Sequence, residues 1–381
     1  MFKLLTIIGA RPQIIKAAAI SRAVNNYFAG QIEEKILHTG QHYDNNMSQV
    51  FFDELGIPAP NYNLSVGSSS HGVQTAKMIA GIEEVLTSEH FDGIILYGDT
   101  NSTLAGAVAA SKIHIPVFHI EAGLRSFNMT MPEEVNRIVC DQLSSICFSP
   151  TKTGVVNLRR EGFFDSPAIF KNGKGRRVVN SGDVMYDNSM FFASLAEQKS
   201  DILTRLNVKH GEYILTTIHR PNNTDEPTRL TAIISSLLSI TERDSITLVL
   251  PLHPRTKKLL DKNLSKKVYE KLMRSPLVKI IPPASFFDII VLEKNARIVM
   301  TDSGGVQKES FFFERPCVIL RPETEWTEIV ENGAGVIADA DPNRILEGYN
   351  ELIKKQVYFP KLFGDANAAH HILNEIVEYL C

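Results

Sequence analysis

Short apolar runs alternate with amphipathic stretches along most of this 381-residue chain. The runs are rich in Ile, Leu and Val, and apolar residues recur at helical spacing in the stretches between them. This alternation predicts a parallel sheet covered by helices on both faces. The predicted strands are 3–9, 33–39, 93–98, 115–120, 146–149, 176–181, 213–218, 245–251, 278–282, 297–301 and 316–320, and the predicted helices include 14–23, 72–87, 102–113 and 256–273.

A polar, basic and glycine-containing segment at 171–177 separates two groups of these strand–helix units. The length suits about two domains, and a hydrophobic share of 44% is enough for two cores. The fold class expected is therefore α/β, with two doubly wound Rossmann-like domains facing a cleft and a boundary at 171.

Charge and cysteine content exclude several classes of function. A net charge of -3 and a pI near 6.4 provide no general attraction to nucleic acid or to an anionic membrane. The apolar N-terminus is too short to span a membrane and is interpreted as a first strand. Cys140, Cys147, Cys317 and Cys381 have no CxxC spacing, so buried thiols in a reducing compartment are expected rather than disulfides or a zinc site.

Polar and charged residues follow the predicted strands, at the edge where doubly wound sheets bind ligands. Acids follow the third and fourth strands, Asp99 and Glu121, and Glu133 opens a nearby helix. Arg11 and Lys16 follow the first strand. In the second half of the chain, His219 and Arg220 follow one strand and His253 another.

Residues 297–309 form the most informative single segment. An apolar strand opens into Ser303-Gly304-Gly305 and then into a helical pattern that carries Glu309. Glycines allow close approach of the backbone, and the first turn of a helix offers N–H groups to phosphate oxygens. Glu309 is spaced to accept the hydroxyls of a ribose.

Each of these residues also has a purely structural alternative. Ser303-Gly304-Gly305 is compatible with an ordinary turn, Asp99 with a helix cap, Glu133 with a dipole-complementing acid and His253 with a turn histidine. Acids, cations and a phosphate-type turn nevertheless converge on the same edge of two sheets. Independent capping residues would rarely do so, and this convergence favours function.

Seven motifs in order resemble the non-hydrolysing UDP-N-acetylglucosamine 2-epimerase family. The resemblance implies a glycosyltransferase-B fold in which a C-terminal helix returns to the first domain, giving domains of 1–170 plus 366–381 and 171–365. It also implies a cytoplasmic homodimer that supplies sugars for surface polysaccharides. The motifs lie at 9–16, 40–42, 98–100, 119–125, 132–137, 219–220 and 301–309.

The family's reaction gives these residues roles. It inverts C2 of a UDP-sugar by eliminating UDP to a 2-acetamidoglucal and adding it back, which requires acid–base groups but neither a redox cofactor nor a metal. The implied catalytic residues are Asp99, Glu121, Glu133 and His219. The implied substrate-binding residues are Arg11, Lys16, Gln41, His42, Arg137, Arg220, His253, Phe287 near the uracil, Ser303, Gly304, Gly305, Glu309 and Trp326.

Two departures from the better-known members leave the substrate open. Trp326 lies in a loop where those members have an Arg-Pro pair, and Gln13 stands where they have Glu. Both suggest the branch that acts on the 2,3-diacetamido-glucuronic acid nucleotide, with the indole N–H expected to donate to the sugar. The rival classes are a hydrolysing 2-epimerase that releases ManNAc and a UDP-sugar glycosyltransferase of the same fold.

Overall fold

The computed structural model describes residues 1–41, 57–164, 174–252 and 254–381. These residues form two compact units, Met1–Asn188 with Lys361–Cys381 and Ser189–Pro360. Each unit contains one parallel sheet flanked by helices. The α/β class and the doubly wound topology of both halves are therefore confirmed.

The first unit is built on a seven-stranded sheet in the order β3-β2-β1-β4-β5-β6-β7, with every neighbouring pair parallel. Its strands are β1 (Phe2–Ile8), β2 (Ile32–His38), β3 (Tyr62–Asn63), β4 (Gly93–Tyr97), β5 (Val117–Ile120), β6 (Ile146–Ser149) and β7 (Arg177–Asn180). Its helices are α1 (Arg11–Ala23), α2 (His71–Ser88), α3 (Asn101–Lys112), α4 (Pro132–Leu143) and α5 (Lys152–Arg160). A π-helical turn at Val24–Phe28 extends α1. The next helix, α6 (Val184–Lys199), begins in the first unit and ends in the second.

The second unit is built on a six-stranded parallel sheet in the order β10-β9-β8-β11-β12-β13. Its strands are β8 (Tyr213–Thr217), β9 (Thr247–Pro251), β10 (Val278–Ile281), β11 (Ile298–Thr301), β12 (Cys317–Ile319) and β13 (Gly335–Ile337). Its helices are α7 (Ile202–Leu206), α8 (Pro221–Thr224), α9 (Pro227–Asp244), α10 (Pro254–Asn263), α11 (Lys266–Arg274), α12 (Phe286–Asn295), α13 (Gly304–Phe312), α14 (Thr327–Glu331) and α15 (Pro342–Lys354).

The last helix, α16 (Ala368–Leu380), belongs to the first unit and packs against α1. The Asp187 carboxylate accepts the backbone N–H groups of Ala368 and Ala369, at 3.0 and 2.8 Å. These N–H groups have no partner within the helix, so the acid caps the helix from another part of the unit. Lys361–Cys381 is thereby attached to the first sheet's helices.

The central strands are apolar along their whole length because helices cover both faces of each sheet. In the first unit, β4 is completely buried from Gly93 to Tyr97. The core of the second unit is formed around Leu248 and Leu250 of β9 and the apolar side of α9. Burial of two faces explains why these strands appear in the sequence as continuous apolar runs.

Three expectations about the chain's organisation need correction. The boundary expected at 171 falls before β7, but β7 pairs with β6 and so belongs to the first sheet, and the units divide after Asn188. The helix predicted at 256–273 is two helices, because the Ser265 side chain accepts the Val268 N–H and caps a new one. The short strands β3 and β13 were not predicted.

In each sheet, the chain first adds strands on one side and then crosses over to add strands on the other. This switch point lies between β1 and β4 in the first unit and between β8 and β11 in the second. In doubly wound sheets, the loops that follow such strands diverge and leave a crevice at the carboxyl edge, which is the usual ligand site. The turns that follow them carry Arg11, Asp99, His219 and Ser303. The topology therefore locates the candidate site within each unit.

Candidate functional site

Two of the predicted acids follow neighbouring strands of the first sheet. Asp99 follows β4 and Glu121 follows β5. Glu121 forms an ion pair with Lys16, and the two side chains are 12% and 13% exposed. The φ of Glu121 is 74°, in the left-handed region that non-glycine residues rarely adopt. The fold thus holds the Glu121 carboxylate in place at a cost in backbone energy, as is common at functional sites.

The turns that carry Asp99 and Glu121 are in close contact. Gly98 precedes Asp99 and has a φ of 61°. A Cβ atom on Gly98 would lie 3.0 Å from Glu121 Oε2 and 3.3 Å from Lys16 Nζ. A Cβ at these distances would push the carboxylate or its cation aside by a few tenths of an ångström, and the positive φ also favours glycine, so Gly98 suits the close approach of the two acidic turns.

Helix α4 holds Asp99 through both its side chain and its backbone. Arg137 donates from Nε and Nη2 to Asp99 Oδ2, at 3.0 and 2.6 Å, and Asn136 Nδ2 donates to the Asp99 carbonyl at 2.9 Å. Arg137 also pairs with Glu134 at 2.6 Å. Burial lowers the pKa of Arg137, but the two carboxylates outweigh burial and raise it. Arg137, expected to face the diphosphate, therefore also orients a candidate acid.

The adjacent glutamates of α4 have different environments. Glu134 is buried and accepts the backbone N–H groups of Ser126 and Phe127, at 3.0 and 2.9 Å. Burial favours its neutral form, but these hydrogen bonds lower the pKa of Glu134 below its usual range. Glu133 is exposed in the first turn of the helix. The buried acid therefore holds the preceding loop, and the exposed acid remains the candidate for chemistry.

Gln13 and Gln41 have different roles at this sheet edge. Gln13 is buried, accepts the backbone N–H groups of Gly9 and Ala10, and donates to the carbonyl of Tyr97 at 2.8 Å. It therefore joins the turns that follow β1 and β4. Gln41 is only partly buried, and its Oε1 accepts the hydroxyl of Ser102 at 2.7 Å. The Gln13 side chain thus binds the protein's own backbone, which supports a structural role.

A buried carboxylate organises the turn that follows β8 in the second unit. Asp302 accepts the backbone N–H groups of His219 and Arg220, at 3.1 and 3.0 Å, and the side-chain amide of Asn223 at 3.1 Å. Its Oδ1 also lies 3.1 Å from His219 Nδ1. Burial favours the neutral acid, but the bonds from His219 and its neighbours lower the pKa of Asp302. Sequence reasoning missed Asp302, although its place at the end of a strand in a recognised motif was the available signal.

The N-terminus of α13 has the strand–turn–helix form expected of the phosphate site. The Ser303 side chain caps the helix by accepting the Val306 N–H at 3.4 Å, and Gly305 is exposed. A Cβ atom on Gly304 would overlap the carboxylate of Glu325, which pairs with Arg321 at 2.9 Å. The turn is thus shaped by close packing of the Thr324–Trp326 loop as well as by its glycines.

Trp326 does not fit its predicted role as a donor to the substrate. The indole is 5% exposed, and its Nε1–H donates to the carbonyl of Gly304 at 3.0 Å. The ammonium of Lys308 lies 4.3 Å from the centre of the ring. Because the N–H is already satisfied inside the unit, Trp326 supports the N-terminal turn of α13. The expectation placed the residue at a loop surface, whereas the loop folds inward onto this helix.

Trp326→Phe is expected to lower the free energy of unfolding of the second unit by about 1–3 kcal/mol, because it removes a buried hydrogen bond and part of a packed ring. The relative turnover of the two possible sugars should stay the same. Urea denaturation monitored by circular dichroism measures the first effect and steady-state assays the second. The matched control is Tyr358→Phe at an exposed tyrosine, which should shift stability by less than about 0.5 kcal/mol. A changed preference between the sugars would restore Trp326 to the specificity site.

Four more of the predicted residues lie within the described part of the chain. Arg11 is exposed at the start of α1, and Arg220 is partly buried and donates from Nε to the Asp302 carbonyl at 3.1 Å. Phe287 is partly buried near the start of α12, with the ammonium of Lys199 5.0 Å from its ring centre. Glu309 is partly buried on α13. His42 and His253 lie outside the described residues.

Two further features concern the part of the chain that the structure describes. No group of three His, Cys, Asp or Glu side chains is arranged there as a metal site. No helix within those residues combines the length and apolar character that crossing a bilayer requires.

The chain is similar to known proteins over nearly its whole length. The sequence matches the UDP-N-acetylglucosamine 2-epimerase family over residues 27–377. It is 44% identical over 372 residues to a UDP-N-acetylglucosamine 2-epimerase homolog of Methanococcus maripaludis, covering 97% of this chain and 98% of that protein. It is also 44% identical over 379 residues to the UDP-2,3-diacetamido-2,3-dideoxy-D-glucuronate 2-epimerase of Pseudomonas aeruginosa, covering 99% of each. Among solved structures, the UDP-GlcNAc 2-epimerase of Methanocaldococcus jannaschii in complex with UDP-GlcNAc and UDP is similar with a TM-score of 0.81 and 37% identity, covering 99% of this chain and 100% of that one.

Proposed function

Because the chain belongs to the UDP-N-acetylglucosamine 2-epimerase family, we propose that it inverts the configuration at C2 of a UDP-linked 2-acetamido sugar without hydrolysing it. It is an isomerase of the nucleotide-sugar 2-epimerase type. The observation that carries the proposal is the contact between two acidic turns at one sheet edge, where Gly98 leaves room for Glu121 beside Asp99. Two carboxylates that share one edge suit a reaction that must both remove and return a proton.

The proposed reaction has two balanced halves. In the first, a carboxylate takes the C2 proton, a double bond forms between C1 and C2, and the C1–O bond breaks with its electron pair leaving on UDP. In the second, UDP adds back to C1 while an acid protonates C2 from the opposite face. Asp99, Glu121 and Glu133 are the proposed acid–base groups of this cycle.

The departing UDP gains negative charge, so donors directed at it stabilise the transition state. We propose that Arg11, Lys16, Arg137 and the turn at Ser303–Gly305 serve this purpose, as a helix N-terminus is suited to do. His219 is proposed to protonate or bind the leaving phosphate through Nε2, because its Nδ1 is held by Asp302. In the further assignments, Glu309 binds the ribose, Phe287 the uracil, and Gln41, His42, Arg220 and His253 other parts of the substrate.

The proposed substrate is either UDP-GlcNAc, giving UDP-ManNAc, or its 2,3-diacetamido-glucuronic acid analogue. Two equally similar relatives carry names that correspond to these two alternatives. Gln13 and Trp326 do not separate them, because both side chains bind the protein's own backbone. Assays with both nucleotides, followed by proton NMR of the products, show which of the two sugars the enzyme epimerises.

We further propose that the enzyme acts as a cytoplasmic homodimer that supplies sugars for surface polysaccharides. The support is the resemblance to its family. Size-exclusion chromatography with light scattering tests the dimer, because a dimer of this 42.5 kDa chain has twice the chain's mass.

Incubation in deuterated water tests the proposed reaction. We expect deuterium at C2 of the recovered UDP-sugar, because the proton taken by a carboxylate exchanges with solvent before it is returned. Proton NMR and mass spectrometry of the product measure the label.

Other outcomes would identify another class of enzyme. A transferase would leave C2 unlabelled, and a hydrolysing epimerase would accumulate free ManNAc and UDP. Epimer formed without label at C2 would contradict proton exchange and indicate internal transfer or a redox route.

A further inference from the structure

A chain of buried charged groups lies next to the turns that carry Asp99 and Glu121. His119 of β5 and Asp141 of α4 are both fully buried, and His119 Nδ1 lies 2.7 Å from Asp141 Oδ1. His119 Nε2 lies 2.8 Å from the carbonyl oxygen of Gly98. With Asp141 ionised, both neighbours are acceptors, so both ring nitrogens donate and the charged imidazolium is the form that fits.

The second oxygen of Asp141 continues the chain. It accepts the backbone N–H of Gly123 at 3.1 Å and pairs with Arg125 at 2.8 Å. Arg125 in turn binds Glu161 through two bonds of 2.7 Å. Burial favours neutral Asp141, but His119 and Arg125 keep its pKa below the usual range. Burial likewise opposes charge on His119, but Cys140 and Asp141 outweigh it and raise the pKa of His119 well above its ordinary value.

We propose that His119 and Asp141 are positioning residues that set the relative placement of the candidate acids. His119 holds the carbonyl of Gly98, the residue before Asp99, and Asp141 holds the N–H of Gly123, two residues after Glu121. Asp141 is also part of α4, whose first turn carries Glu133. One buried carboxylate thus joins the three segments that carry the three acids. The inference rests on the proposed epimerase function and concerns how that site is held.

The arrangement matters for the fate of the intermediate. After UDP leaves, the glycal either is protonated at C2 and recaptures UDP, or it dissociates from the enzyme together with UDP. A displaced acid slows protonation, whereas dissociation is unaffected. Loosening the acids should therefore raise the amount of free glycal released per epimer formed. This partition ratio does not depend on how much of the enzyme is folded, because both products come from the same active molecules.

His119→Asn provides the test. The shorter amide keeps a donor near the position of Nδ1, where Asp141 accepts, but removes the donor to Gly98. We expect kcat to fall about tenfold or more with KM within about twofold of wild type, because the lost contact acts on the acids and not on ground-state binding. The partition ratio, measured by NMR of glycal and epimer, should rise at least about fivefold.

Two companion variants make the result decisive. Asp141→Asn weakens the contacts to the His119 ring and to the Gly123 N–H. It should therefore raise the partition ratio of glycal to epimer, as His119→Asn does. Glu161→Gln weakens only the outer end of the chain, where the acid is 32% exposed, and should leave the ratio unchanged even if stability falls. Wild-type kcat and partition ratio in both His119→Asn and Asp141→Asn would overturn the inference. A wild-type protein that forms no C2 epimer would instead contradict the proposed function.

Discussion

Glu121→Gln is expected to lower turnover by about 10²–10⁴-fold, the range for loss of a general acid or base. The amide is nearly isosteric, so the fold is preserved, but it neither takes nor returns a proton. Glu121 combines three features of a site group, since it is nearly buried, paired with Lys16 and held at a φ of 74°. Steady-state kinetics with the preferred UDP-sugar, together with UDP binding by calorimetry, measures the effect.

The matched control for Glu121→Gln is Glu134→Gln on α4. Glu134 is also buried and also bound to a cation, but its oxygens accept backbone N–H groups of the preceding loop. Its amide variant should lower stability and affect turnover much less than Glu121→Gln. UDP affinity should stay close to wild type in both. Near-normal turnover of Glu121→Gln would remove this residue from the acid–base assignment and leave Asp99 and Glu133.

Gly123→Ala is expected to lower the free energy of unfolding of the first unit by about 3 kcal/mol or more, combining left-handed strain with overpacking. Gly123 has a φ of 80°. A Cβ atom there would overlap the carbonyl oxygen of Gly154 and approach its carbon at 2.8 Å. Because the obstacle is backbone, it cannot rotate away. Urea denaturation monitored by circular dichroism gives the change.

Gly162→Ala is the control that separates these two costs. Gly162 also has a positive φ, 87°, but nothing lies within 4 Å of the added Cβ. Gly162→Ala should lower the free energy of unfolding by only about 1–2 kcal/mol, because it adds backbone strain alone. Equal losses in the two variants would show that the contact with Gly154 relaxes. Gly123→Ala should also reduce turnover, because its N–H binds Asp141 two residues after Glu121.

The sites in the two units use the same device, a buried aspartate that binds a histidine and backbone N–H groups of neighbouring turns. In the first unit Asp141 binds His119 and the N–H of Gly123. In the second, Asp302 binds His219 and its N–H. The histidines differ in exposure, because His119 is fully buried and the His219 side chain is 52% exposed. Burial therefore suits His119 to positioning, and exposure suits His219 to contact with a ligand.

Much of the fold was predictable because its physical cause is local. β4 and β11 are buried on both faces, so they appear as apolar runs, and each ends in a polar turn that marks the carboxyl edge of the sheet. The helix broken at Ser265 and the boundary placed before β7 were wrong for the opposite reason. A cap and a strand pairing depend on neighbours that periodicity does not specify.

The sequence by itself determined that the chain is an α/β protein with acids, cations and a Ser-Gly-Gly turn after its strands, and its ordered motifs identified the family. Tertiary structure decided which of these side chains are buried against backbone partners and which stay accessible at the sheet edges. In the sequence alone, Trp326 and Gln13 suggest a particular substrate, yet each binds backbone inside its own unit. Conversely, Asp141 lies near the end of α4, outside the motif at 132–137, and becomes the centre of a buried network. Residue type and spacing do not reveal this difference, because burial and hydrogen-bond partners come from segments far apart in the chain.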